Sequence, residues 1–212
     1  MLTQVTSKNK EFNEYLNNFS SIILEWYKTN KESLEFINHQ NFDKTHVSEK
    51  YCDYIIKQHT LHKGKPEVDY MLRLINDDKA LEISTELAPL HREMQTFLGT
   101  YHCPLAALYP PEGGISWHNN ADAPGYNLLA TWSETGDGYF LYRDENNNTV
   151  KVQDVPGWQI KMSYFPSYTE DKPPFYHAAY TNCLRISLAW RFLPDDNSAY
   201  MWENLKNELD FE

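Results

Sequence analysis

Two histidines in the second half of the chain are of the residue type most often used to bind metals or to transfer protons. His118 lies just past a turn rich in proline and glycine, and His177 lies in the segment Pro174–Ala178. Neutral imidazole is the commonest metal ligand among side chains, and its pKa also suits acid–base catalysis. A lone histidine in a β protein is more often a hydrogen-bonded structural residue. The surroundings of the pair therefore decide what it does.

An alternating segment, Arg185–Phe192, begins eight residues after His177. Its period of two places Arg185 and Ser187 on one face and apolar side chains on the other, as in a β-strand. An arginine on an inward-facing strand needs a buried partner, because an unpaired buried charge is costly. A carboxylate ligand would satisfy it, since guanidinium binds carboxylate through two parallel hydrogen bonds.

The first hundred residues are predicted to be largely helical, because apolar residues recur there at helical spacing. The predicted helices cover Lys8–Ile37, Val47–Leu61, Val68–Asn76 and Ala80–Leu98. Gly99 should end the last of these helices, and Pro89 should kink or divide it.

After Tyr101 the sequence changes to short runs of β-branched and aromatic residues separated by turn signals, which favours an antiparallel sandwich or barrel. The tail, Ser198–Phe211, is predicted to be helical. We therefore expect a mostly β fold with helical layers, divided into a helical region at 1–100, a β core at 101–197 and a C-terminal helix at 198–212. These parts should form one structural unit, with the N-terminal helices covering the outward residues Ile186, Leu188 and Trp190.

The order of these elements resembles the iron(II)/2-oxoglutarate-dependent oxygenases, whose core is a double-stranded β-helix, or jelly roll. In that family a histidine on an early strand is followed by a distal histidine and then by Arg-x-Ser. Tyr109-Pro110-Pro111 is similar to the Tyr-Pro-Pro element of the plant-type members. The resemblance covers roughly Tyr101–Leu193, and a weaker one extends to small oxygenase-like proteins of tailed phages.

The resemblance implies a reaction and a set of site residues. His118 and His177 would bind Fe(II), Arg185 with Ser187 would hold the distal carboxylate of 2-oxoglutarate, and Tyr109 would assist. The enzyme would be a dioxygenase that couples decarboxylation of 2-oxoglutarate to C–H oxidation, by default a hydroxylation. Its partners would be 2-oxoglutarate, dioxygen and a substrate that the sequence does not identify, either a small molecule or a protein side chain.

The third metal ligand of the family is an acidic residue, and at that position this chain has Asn120. A carboxylate would favour Fe(II) more strongly than a neutral amide oxygen does. Three alternatives stay open: Asn120 coordinates the metal, or Asp122 replaces it, or no protein ligand fills the position, as in the halogenating members of the family. Spacing favours Asn120 as the ligand, although an asparagine in this turn-rich segment is also an ordinary turn residue.

Two other functions compete with the oxygenase. The loss of the acidic ligand is compatible with a catalytically impaired protein of the same fold, whose aromatic pocket binds a small molecule or peptide. The second alternative is a cupin-type metal enzyme that does not use 2-oxoglutarate, but this function would leave Arg185 and Ser187 without a role.

Charge and composition narrow the range of partners. The formal net charge of −11 argues against nucleic acid, because no cluster of Lys and Arg offsets it. We expect a cytoplasmic protein without membrane association, since the N-terminus has no apolar signal peptide and no run could span a bilayer. The three cysteines lie far apart, which favours reduced thiols in the core over disulfides or a zinc site.

Several other tryptophans, arginines and histidines are predicted to have structural roles or are assigned no role. Core or barrel-wall positions are predicted for Trp117, Trp132 and Trp158. Surface or helix-packing charges are predicted for Arg143 and Arg191. No role is assigned to His59, His62 and His91. The loop Tyr168–Pro174 is a plausible lid that is too generic to interpret.

Overall fold

Twelve strands in the computed structural model form two antiparallel sheets of six strands each. The structure describes residues 2–58, 64–75, 80–100, 102–166 and 170–209. The strands are β1 (Thr3–Val5), β2 (Asn38–His39), β3 (Asp69–Tyr70), β4 (Leu72–Arg73), β5 (His102–Tyr109), β6 (Gly114–His118), β7 (Gly125–Ser133), β8 (Gly138–Arg143), β9 (Thr149–Gln153), β10 (Gly157–Phe165), β11 (His177–Thr181) and β12 (Arg185–Phe192). The helices are α1 (Lys10–Asn30), α2 (Glu49–Lys57), α3 (Leu81–Leu98) and α4 (Asp196–Glu208), with a 3-10 helix at Lys44–Val47.

The chain passes repeatedly from one sheet to the other. The first sheet has the order β1-β10-β7-β12-β5-β4, and the second has the order β2-β3-β6-β11-β8-β9. Except for the hairpin of β8 and β9, consecutive strands from β5 to β12 lie in different sheets. This arrangement confirms the expected antiparallel β fold with accompanying helices.

The outer face of the first sheet is covered by the long helices. Ile186, Leu188 and Trp190 of β12 are fully buried in one apolar cluster with side chains of α1 and α3. The rings of Phe19 and Trp190, for example, lie 6.2 Å apart between centroids in an edge-to-face contact. The prediction that the N-terminal helices cover these outward residues is confirmed.

The outer face of the second sheet carries a smaller apolar layer, built on α2 and the 3-10 helix. Trp117 of β6 is buried there with Cys52 and Ile55 of α2. The other five tryptophans of the chain belong to the layer on the first sheet or pack against it. They are Trp26, Trp132, Trp158, Trp190 and Trp202.

Most helix boundaries follow local signals in the sequence. Helix α1 begins after Asn9, whose side-chain oxygen accepts a hydrogen bond from the backbone N–H of Phe12 at 2.9 Å. Gly99 ends α3 in the left-handed conformation with φ of 70°, as predicted. Pro89 lies inside α3 and does not divide it. Packing of α3 on α1 and on the first sheet offsets the backbone hydrogen bond that proline cannot donate.

The helix predicted over Val68–Asn76 is wrong. Asp69–Tyr70 pairs with β2 and with β6, while Leu72–Arg73 pairs with β5, so this stretch contributes one short strand to each sheet. The pairing partners lie far along the chain, and a local periodicity does not reveal them. Several predicted positions lie outside the described residues. They are Asn76, His59, His62 and Leu61, the end of the second predicted helix.

Whether the chain folds as one structural unit stays a prediction, and truncation tests it. Deleting residues 1–100 removes β1 to β4 and the helices that bury Ile186, Leu188 and Trp190. The fragment 101–212 should be insoluble, because it exposes this apolar face. Soluble yield and cooperativity of thermal unfolding should be measured beside the full chain prepared identically. A soluble fragment that unfolds cooperatively would show that the β core is an independent domain.

Candidate functional site

The structure brings the two candidate histidines together at one end of the second sheet. His118 is the last residue of β6, and His177 is the first residue of β11. Their Cα atoms are paired across the antiparallel ladder. The two ring centroids lie 4.1 Å apart. Residues 59 positions apart in sequence are thus side by side because β6 and β11 are neighbours.

Both imidazoles are oriented by the backbone in the same way. The Nδ1 atom of His118 lies 2.7 Å from the carbonyl oxygen of Ser116, and Nδ1 of His177 lies 3.0 Å from that of Phe175. Such a contact places the proton on Nδ1 and the lone pair on Nε2, which is how metal-bound histidines are commonly held. Burial lowers the pKa of His177 to about 4, so its ring is neutral at pH 7. The pair therefore fits a divalent metal as two nitrogen ligands.

The turn after His118 holds the residues considered for a third ligand. Asn120 is half-buried, and its backbone carbonyl accepts a hydrogen bond from the N–H of Ala123 at 2.9 Å. Asp122 is exposed. Within the described ranges, no three His, Cys, Asp or Glu side chains are grouped so as to hold a metal. Here the carboxylate of Asp122 does not join the histidine pair, and the ligand role of Asn120 stays a prediction.

Aromatic side chains surround His177. The rings of Phe140, Phe165 and Phe175 have their centroids 5.6, 4.9 and 5.7 Å from its imidazole. Phe175 also stacks on Tyr142 at 5.4 Å. This wall gives the histidine an apolar environment from which water is largely excluded.

A cavity of about 360 Å³ lies on the other side of this wall. Phe175 and Tyr142 contribute to its lining, together with Ser163, Tyr164 and Lys172. The ammonium group of Lys172 lies 5.3 Å from the centroid of the Tyr164 ring. The cavity is large enough for an amino-acid side chain or a small metabolite. Part of the loop predicted as a lid, including Tyr168, lies outside the described residues.

Arg185, Ser187 and Tyr109 also lie together, on the inner face of the first sheet. The Nη1 atom of Arg185 donates to Oγ of Ser187 at 2.7 Å. Its guanidinium carbon lies 5.4 Å from the centroid of the Tyr109 ring. Burial raises the pKa of Tyr109 to about 12 although Arg185 opposes the shift, so the phenol is neutral at pH 7.

The buried partner of Arg185 within the chain is Asp154, a residue that was not predicted from the sequence. The Nε atom of Arg185 donates to Oδ2 of Asp154 at 2.8 Å, and both side chains are almost completely buried. Nζ of Lys161 lies 3.3 Å from the second oxygen, Oδ1. Burial raises the pKa of Asp154, but the charges of Arg185 and Lys161 outweigh it and hold that pKa below its usual value. A ligand carboxylate at Arg185 would thus join an existing ion pair.

One signal in the sequence could have pointed to Lys161. In β10 the polar residues Gln159 and Lys161 alternate with the apolar Ile160 and Met162, which pack against the helices outside the first sheet. The polar pair must then face inward, between the sheets. Asp154 gives no such signal, because it lies beyond the end of β9.

The other residues have structural roles. Trp117, Trp132 and Trp158 pack in or against the outer apolar layers, and Arg143 binds Asp53 of α2 at 2.7 Å, so the core and helix-packing predictions are confirmed for them. His91 is buried between α3 and β5, where its Nδ1 lies 3.6 Å from Sγ of Cys103. All three cysteines are free, as expected. No helix in the described part of the chain is both long and apolar enough to cross a membrane.

No protein-family model and no curated protein sequence matches the chain. Among solved structures it is similar to a prolyl-4-hydroxylase from Pseudomonas putida, with 14% identity over 70% of this chain and 89% of that chain, at a TM-score of 0.31. It is also similar to a prolyl hydroxylase from Trichoplax adhaerens, solved with a peptide fragment of the hypoxia inducible factor oxygen degradation domain. That match has 15% identity over 92% of this chain and 97% of that chain, at a TM-score of 0.35. A cupin-like protein from Thermotoga maritima has 11% identity over 62% of this chain and 81% of that chain, at a TM-score of 0.21. At these values the matches assign neither a family nor an activity.

Proposed function

We propose that this chain is an iron(II)- and 2-oxoglutarate-dependent oxygenase with a double-stranded β-helix core, and that its reaction is a hydroxylation. The observation that carries the proposal is the histidine pair: two imidazoles on paired strands, 4.1 Å apart between ring centroids, each held at Nδ1 by a backbone carbonyl. The strand order supports the fold. The four strands β10-β7-β12-β5 and the four strands β9-β8-β11-β6 form the two sheets expected of an eight-stranded jelly roll.

Each part of the site has a role in this reaction. His118 and His177 would bind Fe(II) through Nε2, Asn120 would fill the third position, and Arg185 with Ser187 and Tyr109 would bind the distal carboxylate of 2-oxoglutarate. The bound iron supplies dioxygen activation, so that 2-oxoglutarate, dioxygen and a C–H bond give succinate, carbon dioxide and an alcohol.

The protein's own contribution is to keep the imidazole of His177 neutral, to orient both imidazoles through the carbonyl groups of Ser116 and Phe175, and to exclude water with the aromatic wall. The cavity beside Phe175 and Tyr142 would hold a part of the substrate remote from the iron.

Anaerobic titration with Fe(II) and 2-oxoglutarate tests this function, followed by admission of dioxygen and measurement of succinate. We expect a visible charge-transfer band and succinate formation. His177→Ala should abolish both, whereas His102→Ala, at an exposed position, should change neither. Binding of 2-oxoglutarate without succinate would indicate the catalytically impaired protein. Metal binding without any effect of 2-oxoglutarate would indicate a cupin-type enzyme.

Substitutions at Asn120 and Asp122 test the third ligand. If the amide oxygen of Asn120 binds the metal, Asn120→Asp should tighten Fe(II) binding, because it adds negative charge at nearly constant volume. Asn120→Ala should weaken binding, and Asp122→Asn should change little. Titration with Fe(II), followed by the charge-transfer band, measures all three variants. If Asp122→Asn instead abolishes metal binding while both substitutions of Asn120 have mild effects, Asp122 is the ligand. No change in any variant would leave a two-histidine site and favour halogenation or loss of catalysis.

A further inference from the structure

We propose that Lys161 and Gln159 complete a binding site for one carboxylate group beside Arg185, in which Asp154 is the fixed counter-ion that holds the two cations. The inference rests on the proposed function for the identity of the ligand, which would be the distal carboxylate of 2-oxoglutarate. It adds two ligand-binding residues and one positioning residue, Asp154, that the resemblance to known oxygenases does not supply.

The sheet register brings these side chains together. Gln159 of β10 is paired with Thr131 of β7, and Thr131 is paired with Ser187 of β12, so the three residues form one row across the inner face. Arg185 precedes Ser187 by two residues, and Lys161 follows Gln159 by two residues. The two cations therefore flank the row on either side, and both reach the carboxylate of Asp154.

The charges of the cluster do not balance. Lys161 and Arg185 contribute two positive charges and Asp154 contributes one negative charge, which leaves +1 − 1 + 1 = +1. Lys161 is 0% exposed, and Arg185 and Asp154 are each 2% exposed. An uncompensated charge at this depth is costly, and one monoanionic group would remove the cost. In a protein with a net charge of −11, this cluster is an internal positive site.

Gln159 is the second, independent sign of a missing ligand. Its side chain is 1% exposed, and both Nε2 and Oε1 have no hydrogen-bond partner among the residues that the structure describes. Buried amides are nearly always hydrogen-bonded, because an unsatisfied one costs free energy. A water molecule would satisfy the amide but would leave the excess charge. A carboxylate would accept a hydrogen bond from Nε2 of Gln159 and would also neutralise the excess charge.

The protonation state of Lys161 makes the site sensitive to pH. Burial lowers the pKa of Lys161 to about 8, although Asp154 opposes the shift. The groups that face it are the guanidinium of Arg185 and the carboxylate of Asp154, whose pKa is held below its usual value, and the nearby Tyr109 is a neutral phenol. Carboxylate binding should therefore weaken as pH rises through about 8, because deprotonated Lys161 no longer attracts an anion.

Binding of glutarate to the metal-free full chain tests the site without requiring iron or turnover. Glutarate has the distal carboxylate of 2-oxoglutarate and lacks the keto group that chelates a metal. At pH 7 and constant ionic strength, calorimetry should detect glutarate binding that Lys161→Met weakens about tenfold or more. Lys50→Met, which removes an exposed lysine, should leave it unchanged. Failure of Fe(II) binding or succinate formation would then overturn the proposed function while leaving this site intact.

Gln159→Glu is the decisive variant, because it places a carboxylate of the same size in the site. It should raise the melting temperature of the ligand-free protein and abolish glutarate binding. A folded Lys161→Met variant that binds glutarate like the parent overturns the inference. If that variant does not fold, a lower melting temperature of Gln159→Glu, or a glutarate affinity of the parent that is constant from pH 6.5 to 9.5, overturns it instead.

Discussion

Asp154→Ala should lower the free energy of unfolding by about 3–5 kcal/mol, the range for removing one member of a buried ion pair. Its carboxylate binds both Arg185 and Lys161, and both cations are buried without access to water. Removing it leaves two like charges facing each other in the interior. Urea unfolding at pH 7 measures the change. Asp53→Ala is the matched control, because it removes an equally short pair with Arg143 whose carboxylate is exposed to solvent, and it should cost at most about 1 kcal/mol.

The pH dependence of stability separates the charge of Asp154 from its packing. The pKa of Asp154 is lower in the folded state than in the unfolded chain, so its charge stabilises the fold fully only well above the unfolded-state pKa of about 4. That contribution is lost as pH falls through the folded-state pKa. Asp154→Asn keeps the volume and should flatten this acidic part of the stability profile. If Asp154→Ala loses no more stability than Asp53→Ala, the buried cluster does not hold the fold together as inferred.

Arg185→Ala should weaken 2-oxoglutarate binding by about 2–5 kcal/mol, which is the cost of truncating one partner of a buried charge pair. The fold should survive, because Asp154 and Lys161 remain as a balanced pair. Anaerobic titration of the Fe(II)-loaded protein with 2-oxoglutarate measures the affinity.

Arg143→Ala is a suitable control for this variant. Arg143 is also an arginine with a carboxylate partner, but that partner is Asp53 on α2, on the outer side of the second sheet. Its removal should leave the affinity for 2-oxoglutarate unchanged. An Arg185→Ala protein that binds 2-oxoglutarate like the parent would remove Arg185 from the ligand site.

The elements predicted correctly from the sequence are those whose signals are local. Helix α1 follows an apolar stripe, Gly99 supplies the left-handed residue that ends α3, and β12 alternates between its two faces. The segment 68–76 was mispredicted as helical because each of its two short strands is stabilised by hydrogen bonds to partners that lie far away in the sequence. The spacing of apolar residues within so short a segment does not distinguish a helix from a pair of short strands.

The site shows the same division. The spacing of His118, His177 and Arg185 along the sequence led to residues that the structure places on paired or inward-facing strands. The need of Arg185 for a buried carboxylate was also predictable from charge burial. The identity of that carboxylate was not predictable. Asp154 follows β9, which belongs to the second sheet, whereas Arg185 is on β12 of the first sheet, so the two residues meet only when the sheets pack together. The pairing of strands that are distant in the chain cannot be predicted from a single sequence.

The tryptophans are unevenly divided between the outer apolar layers of the two sheets, so tryptophan fluorescence can distinguish these layers. Five indoles belong to the layer on the first sheet or pack against it, whereas Trp117 is alone in the layer on the second sheet, with all six inside the described residues. Fluorescence of the native chain therefore reports mainly on the helices over the first sheet. A Trp117→Phe chain reports on them exclusively, and the difference between the two spectra isolates the environment of α2. If one layer loosens before the other, the emission maximum and acrylamide quenching of these two chains will change at different urea concentrations.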